Sequence, residues 1–153
     1  MNKLKLHNKN ILDEAHGLII HGVNAQRKMG SGIAKQIRDR YPIVYDEYMK
    51  APAGKDALGN LQIVKVTDEL YIGNGFTQLY YGNDGRRYAS VDAIEKVLDK
   101  AFKWCIIYNY PLLSPKIGCG LGGLDWKKDV EPIFLEMHRL YPEVDVNIFE
   151  LDK

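Results

Sequence analysis

The sequence is poor in cysteine, in excess charge and in long apolar segments, and each shortage excludes a class of protein. Its two cysteines, Cys105 and Cys119, allow at most one disulfide and lack metal-binding spacing. A formal net charge of +1 gives nucleic-acid binding no particular support. No segment approaches the ~20 apolar residues that a transmembrane helix needs, and the first residues lack the apolar core of a signal peptide. We therefore expect a cytoplasmic protein with no membrane association.

The overall composition of the sequence is typical of one globular domain. The 153 residues are 46% hydrophobic and 27% charged, proportions typical of a chain that buries a core. We expect a single domain over residues 1–153, acting as a monomer. Since His7, His16 and His138 show no metal-ligand spacing, no metal or other cofactor is expected.

Periodicity along the chain predicts strands interleaved with helices. Strand patterns cover residues 3–7, 17–23, 59–66, 70–79, 112–117 and 144–151, and helical patterns cover 31–41, 42–50, 91–102 and 125–140. Pro42 can start the second helix, and Ser90 can cap the third. This alternation predicts an α/β fold with a central mixed, largely parallel sheet and helices on both faces.

The first candidate ligand loop follows the second strand. Within residues 17–34, the buried run Leu18 to Ile20 leads into a polar loop and then a helical pattern. Gly30 and Gly32 can adopt a positive φ and bring the backbone near a ligand, and the N–H groups that start the following helix can face an anion. This order of strand, glycine loop and helix predicts a ligand site.

A second glycine loop, from Ile117 to Trp126, occurs in the same context. It lacks the Lys-Ser/Thr pair of a nucleotide triphosphate loop, and no acidic residue follows as in a dinucleotide-binding fingerprint. Loops at the carboxyl ends of strands are the usual ligand site of α/β sheets. Two such loops on one sheet edge would enclose an elongated, phosphate-bearing molecule.

Two segments together resemble the macrodomain family: His21 to Asn24 with Met29 to Ala34, and Pro115 to Trp126. The resemblance covers nearly the whole chain in the same order. It implies a three-layer α/β/α fold that binds ADP-ribose. It is strongest to the branch that contains the terminal ADP-ribose protein glycohydrolase, the antitoxins that remove ADP-ribose from DNA, and the fungal ADP-ribose 1''-phosphate phosphatase.

The resemblance implies ligand contacts residue by residue. Asn10 stands where most macrodomains have an aspartate that accepts a hydrogen bond from the adenine amino group, and an asparagine carbonyl can accept the same bond. Asn24 matches an asparagine that binds the distal ribose, and Phe149 matches an aromatic residue that packs on adenine. The other expected contacts, after Asn10 and in the two glycine loops, are Ile11, Gly30, Gly32, Ile33, Ile117, Gly118, Cys119, Gly120, Leu121, Gly122 and Gly123.

Two departures from the family pattern bear on the reaction. The protein-directed glycohydrolases of this branch use a lysine in the loop before the Ser90 helix and an aspartate in the late glycine loop. Here residues 81–87 contain no lysine, and Gly122 occupies the aspartate position. These differences argue against removal of ADP-ribose from protein or DNA by a mechanism that needs a lysine nucleophile.

His21 is the remaining candidate for acid–base chemistry. It lies near the end of the second strand, three residues before Asn24, and is similar to a histidine at the same place in the fungal phosphatase. Imidazole titrates near neutrality and can position a water or protonate a leaving sugar oxygen. The alternative is a structural histidine that bonds to a neighbouring backbone group.

Five other residues have a structural explanation beside a functional one. Asp125 can orient a water or cap the last helix. Asp84 belongs to an Asn-Asp-Gly turn, and Arg86 and Arg87 can contact a terminal phosphate or stay solvated. Cys119 lies between two glycines, where a small residue fits, and no base for a thiol nucleophile is evident.

These expectations lead to one principal function and two alternatives. The principal hypothesis is hydrolysis of ADP-ribose 1''-phosphate to ADP-ribose and phosphate, with His21 and Asn24 aligning a water while the glycine loops hold the phosphate. The small-molecule partner is then ADP-ribose or its 1''-phosphate. One alternative is a non-catalytic reader of free or protein-linked ADP-ribose. The other is an ADP-ribosyl hydrolase that acts on modified protein or nucleic acid.

Overall fold

A computed structural model describes residues 4–30, 32–79, 89–120 and 122–151. Ser31, Asp84, Arg86, Arg87 and Leu121 lie outside these described residues. The expectations placed on Asp84, on the two arginines and on Leu121 therefore stay predictions.

A six-stranded sheet forms the centre of the fold. Its strands are β1 (Lys5–His7), β2 (Gly17–Asn24), β3 (Leu61–Lys65), β4 (Leu70–Gln78), β5 (Leu112–Pro115) and β6 (Val146–Phe149), in the spatial order β1-β6-β5-β2-β4-β3. The β3–β4 pair is antiparallel and every other neighbouring pair is parallel. The prediction of a mixed, largely parallel sheet is confirmed.

Four α-helices cover the two faces of this sheet: α1 (Gly32–Arg40), α2 (Pro42–Lys50), α3 (Val91–Tyr108) and α4 (Glu131–Leu140). Alternation along β2 divides the core between them, because Leu18 and Ile20 pack with α3 and α4 whereas Ile19 packs with α1 and α2. The fold is thus the expected three-layer α/β/α arrangement.

Local sequence signals fix several helix ends. The Ser90 side chain accepts a hydrogen bond from the Ala93 N–H at 3.2 Å, and the Asp125 side chain accepts one from the Lys128 N–H at 2.8 Å. Pro42 is the first residue of α2. The predicted capping roles of Ser90 and Asp125 are therefore confirmed.

The last helix differs from its prediction as one continuous segment. Residues Trp126–Val130 form a π-helical turn, and the α-helix begins only at Glu131. Pro132 explains the break, because its ring removes a backbone N–H and clashes with the preceding turn of an α-helix. The strands predicted over 112–117 and 144–151 are also shorter, ending at Pro115 and spanning only Val146–Phe149.

None of the helices in the described ranges is both long and apolar enough to cross a membrane.

Candidate functional site

The loops after β2 and β5, together with the end of β4, enclose a cleft of about 490 Å³ at the carboxyl ends of these strands. Its lining residues are Gly22, Val23, Asn24, Lys28, Gly30, Gly32, Ile33, Ala34, Thr77, Gln78, Pro115, Lys116, Ile117, Gly118, Gly120 and Gly122. Strand order brings the two glycine loops together, because β2 lies between β4 and β5. The prediction that both loops meet at one sheet edge is confirmed.

The cleft carries positive charge. Its described lining includes Lys28 and Lys116 but no aspartate or glutamate. The Lys116 Nζ lies 2.9 Å from the Glu150 carboxylate, and the Lys116 side chain is 30% exposed. The Glu150 carboxylate offsets part of the Lys116 charge, and the remaining positive charge of the lining favours an anionic ligand.

The second glycine loop contains backbone N–H groups without a backbone acceptor in the described chain. Gly118 and Gly123 adopt φ values of +79° and +81°, which side chains rarely tolerate. The amides of Gly118, Gly120 and Gly122 donate to no backbone carbonyl of the described chain, whereas the carbonyl oxygen of Gly122 accepts a bond from the Ala89 N–H at 3.0 Å. The bond to Ala89 fixes the loop, while three of its N–H groups have no backbone acceptor. Such a loop is suited to bind phosphate oxygens.

This loop has no room for a side chain at Gly122. A Cβ atom there would lie 2.6 Å from the Gly118 carbonyl oxygen and 3.0 Å from the Ala89 Cβ. The Gly122→Ala variant is therefore expected to lose about 1–3 kcal/mol of unfolding free energy through overpacking. Urea unfolding measures this loss.

Gly120→Ala is the matched control for stability, since a Cβ at Gly120 meets no atom within 4 Å. Its unfolding midpoint should stay near that of the unmodified chain. Equal midpoints for Gly120→Ala and Gly122→Ala would contradict this account of the loop.

The first loop is organised by Asn24. Its Nδ2 donates to the Lys28 carbonyl oxygen at 2.6 Å, and its Oδ1 accepts from the N–H groups of Gln26 and Lys28 at 3.0 and 3.3 Å. The Tyr48 hydroxyl donates to the Asn24 carbonyl oxygen at 2.6 Å and lies 3.1 Å from its Oδ1. Burial raises the pKa of Tyr48 to about 12, so this hydroxyl stays protonated and acts as a donor. The Asn24 amide thus holds the loop that carries Lys28.

His21 lies in the core and does not line the cleft. Its side chain is 0% exposed, and its Nε2 lies 2.6 Å from the Asn74 Oδ1, on the residue paired with it across β2 and β4. The Asn74 amide in turn donates to the side chain of Gln62 and the carbonyl of Val44. Burial lowers the pKa of His21 to about 4, and the bond to Asn74 only partly opposes this shift. His21 is therefore a neutral, buried histidine at pH 7.

This geometry changes the interpretation of His21. An imidazole without access to the cleft cannot exchange a proton with a ligand there. The predicted acid–base role has no direct contact to support it, and the structural alternative agrees with the observed burial. Its partner is a side chain, Asn74, whereas the structural alternative named a neighbouring backbone group.

Three expected ligand contacts, of which Asn10 and Phe149 were expected to contact adenine, lie outside the cleft lining. The Asn10 side chain accepts a hydrogen bond from the Leu12 N–H at 3.0 Å and caps the short helical turn Ile11–Asp13. Ile11 is buried in the core. Phe149 is also buried and stacks on His7, with ring centroids 4.7 Å apart. The predicted contacts of these three residues with the ligand stay predictions.

Cys119 and Gly123 belong to the second loop but do not line the cleft either. Burial, with a smaller contribution from the Asp125 carboxylate, raises the pKa of Cys119 to about 11. A thiol with this pKa is protonated at neutral pH, which argues against a nucleophile. The remaining predicted contacts in the cleft are Asn24, Gly30, Gly32, Ile33, Ile117, Gly118, Gly120 and Gly122. Of the first-loop glycines, Gly32 has a positive φ of +60° and Gly30 does not.

Sequence reasoning missed several lining residues. Lys28 lies between the two parts of the first motif and Lys116 within the second; neither is among the predicted contacts, although a lysine beside a glycine loop favours an anion. Thr77 and Gln78 end β4. No local signal identifies them, because their place in the cleft depends on the pairing of β4 with β2. In the part of the chain that is described, no three His, Cys, Asp or Glu side chains are grouped to hold a metal.

Comparison with known proteins identifies relatives of this chain. No family model matches the chain. Over 135 residues it is 30% identical to the DNA ADP-ribosyl glycohydrolase of Mycobacterium tuberculosis and, equally, to that of Mycobacterium bovis. Each match covers 86% of this chain, and the chain spans 37% of the length of these relatives.

Solved structures share the fold over its whole extent. The macrodomain of Mycobacterium tuberculosis DarG has a TM-score of 0.82 and 25% identity, covering 99% of this chain and 100% of that one. The structure of Thermosipho africanus DarTG in complex with ADP-ribose has a TM-score of 0.74 and 19% identity, covering 97% of this chain and 42% of that one. The same three layers therefore recur in both.

Proposed function

Because the chain belongs to the macrodomain family, we propose that its cleft binds an ADP-ribosyl group and that the protein hydrolyses a bond to that group. Relatives support both parts: one neighbour was solved with ADP-ribose, and the relatives matched by sequence are ADP-ribosyl glycohydrolases. The bond cleaved and the molecule that carries the group are the finer parts of the proposal.

One observation carries the proposal: both glycine loops line a single cationic cleft without a carboxylate among its described lining residues. ADP-ribose is elongated and carries a diphosphate. The N–H groups of Gly118, Gly120 and Gly122 suit phosphate oxygens, and Lys28 and Lys116 oppose their charge. The volume of about 490 Å³ is in the range typical of small-molecule sites.

The cleft supports catalysis by positioning. Its backbone donors and lysines can hold the phosphates and stabilise negative charge as it develops, without reorganising during the reaction. No histidine or carboxylate of the described chain lines the cleft to serve as a general base. We therefore expect modest turnover that depends on ligand placement.

Two substrate classes follow. ADP-ribosylated DNA is favoured by the named activity of the 30% identical relatives. ADP-ribose 1''-phosphate is favoured by the cationic cleft and by Gly122, whose position leaves no space for an aspartate. In that reaction a water oxygen bonds to phosphorus, the bond from phosphorus to the 1''-oxygen breaks, and that oxygen leaves with a proton as the ADP-ribose hydroxyl.

The deciding experiment combines calorimetry with hydrolysis assays. We expect ADP-ribose to bind with 1:1 stoichiometry, and one of two substrates, ADP-ribose 1''-phosphate or ADP-ribosylated DNA, to release product at pH 7. If ADP-ribose binds but no product is released from either substrate or from ADP-ribosylated protein, only the hypothesis of a non-catalytic ADP-ribose reader remains. Failure to bind ADP-ribose would overturn the proposal.

A matched pair of lysine variants locates the binding. Lys116→Ala removes a charge from the cleft and is expected to weaken ADP-ribose binding about 3- to 10-fold. Lys127→Ala is the control, because Lys127 is exposed, pairs with Glu131 and does not line the cleft. Equal affinities for the two variants would place the ligand elsewhere.

A further inference from the structure

Thr77, the residue before the last of β4, carries a hydroxyl group that no described protein atom bonds. The residue lines the cleft, yet its side chain is 0% exposed. Its Oγ1 has no hydrogen-bond partner in the structure of the described residues. Buried hydroxyl groups in native proteins are nearly always paired, and an unpaired one costs free energy. Such a group calls for a partner that the described protein residues do not supply.

The space facing this hydroxyl is kept open by Gly22. A Cβ at Gly22 would lie 2.6 Å from the Thr77 Oγ1 and 3.4 Å from a side-chain carbon of Ile117. Any larger residue on β2 would therefore fill the space between the hydroxyl and the second glycine loop. Gly22 and Thr77 both line the cleft, and the absence of a Cβ at Gly22 keeps the space beside Thr77 free of a second side chain.

The backbone around Thr77 is firmly held. Its carbonyl oxygen accepts from the Ser90 N–H at 2.7 Å, where α3 begins, and the next carbonyl, of Gln78, accepts from the Ala25 N–H at 2.9 Å. The neighbouring Asn24 amide is already committed to its own loop. The Thr77 hydroxyl is thus carried by a well-held backbone and can still donate and accept a hydrogen bond.

We propose that Thr77 is a positioning residue whose hydroxyl bonds to a sugar hydroxyl of the bound ADP-ribosyl group, once that group enters the space over Gly22. This inference rests on the proposed function. A neutral hydroxyl both donates and accepts, which suits a neutral sugar hydroxyl, whereas Lys28 and Lys116 are the groups suited to phosphate.

The test compares Thr77→Val, which keeps the shape and removes the hydroxyl, with Thr77→Ser, which keeps the hydroxyl. Thr77→Val is expected to bind ADP-ribose about 3- to 10-fold more weakly than the unmodified chain, and Thr77→Ser within about 2-fold. Without ligand, the thermal midpoint of Thr77→Val should stay the same or rise, because no unpaired hydroxyl is buried. Calorimetry and thermal unfolding supply the two readouts.

Each outcome separates this inference from the proposed function. Unchanged affinity in Thr77→Val, with normal binding by the unmodified chain, overturns the role of Thr77 alone. A lower midpoint for unliganded Thr77→Val than for Thr77→Ser also overturns it, since the hydroxyl would then be paired within the protein. If the unmodified chain fails to bind ADP-ribose, the proposed function fails and this role with it.

Discussion

Asn24→Ala is expected to lose about 2–4 kcal/mol of unfolding free energy, together with at least tenfold in affinity for ADP-ribose. The Asn24 side chain makes four hydrogen-bond contacts, to Gln26, Tyr48 and both backbone groups of Lys28. Each such bond contributes about 0.5–1.5 kcal/mol. Without them the loop that carries Lys28 and Gly30 loses its fixed conformation. Urea unfolding and calorimetry measure the two effects.

Tyr48→Phe is the matched control for this prediction. It removes the hydroxyl contacts to Asn24 and the backbone interactions of that hydroxyl with Arg27 and Lys28, and leaves the contacts between the Asn24 amide and Lys28 in place. A loss of about 1 kcal/mol and a smaller change in affinity are expected. If Asn24→Ala loses affinity at unchanged stability, Asn24 acts on the ligand directly, as the family resemblance implies, and its amide is not the organiser of the loop.

Lowering the pH from 7 to 4 is expected to remove about 3 kcal/mol of stability through His21. Its pKa falls from 6.5 to about 4 on folding because the ring is buried, and each pKa unit corresponds to about 1.4 kcal/mol. Between these values the unfolded chain binds a proton that the folded protein excludes. The contribution is therefore complete above pH 6.5 and is lost as the pH falls towards 4.

His21→Gln isolates this effect from the other titrating groups. A glutamine amide can still donate towards Asn74 but does not titrate. Urea unfolding at several pH values should show a shallower loss of stability in acid for the variant than for the unmodified chain. Parallel curves would contradict the assignment. Loss of hydrolysis by His21→Gln while it still binds ADP-ribose would restore the acid–base role.

The sequence predicts what depends on neighbouring residues. Strand and helix periods, the caps at Ser90 and Asp125, and the start of α2 at Pro42 are all encoded within a few positions. The meeting of the two glycine loops also follows, because the carboxyl ends of parallel strands share one edge. Most of the fold and the outline of the cleft are therefore readable from the chain alone.

The roles of individual side chains are harder to predict because they depend on pairing between distant segments. The register of β2 and β4 places Asn74 beside the buried His21, and Gly73 and Gly75 weaken the strand pattern of β4 in the sequence. Alternation did offer a signal: His21 and Ile19 share a face of β2, while Leu18 and Ile20 occupy the other. The position of Thr77 in the cleft depends on the same register of β2 and β4.

The order of the strands also bears on how the protein is made. The strand β1 pairs with β6, so the first strand to be synthesised is completed by the last. Contacts between residues this distant in sequence form slowly, because closing the long intervening loop costs conformational entropy before the contacts can stabilise it. On the ribosome, β1 would therefore wait with an open edge until Val146–Phe149 emerges. Assembly of the sheet is then completed only after almost all of the residues described here have left the exit tunnel.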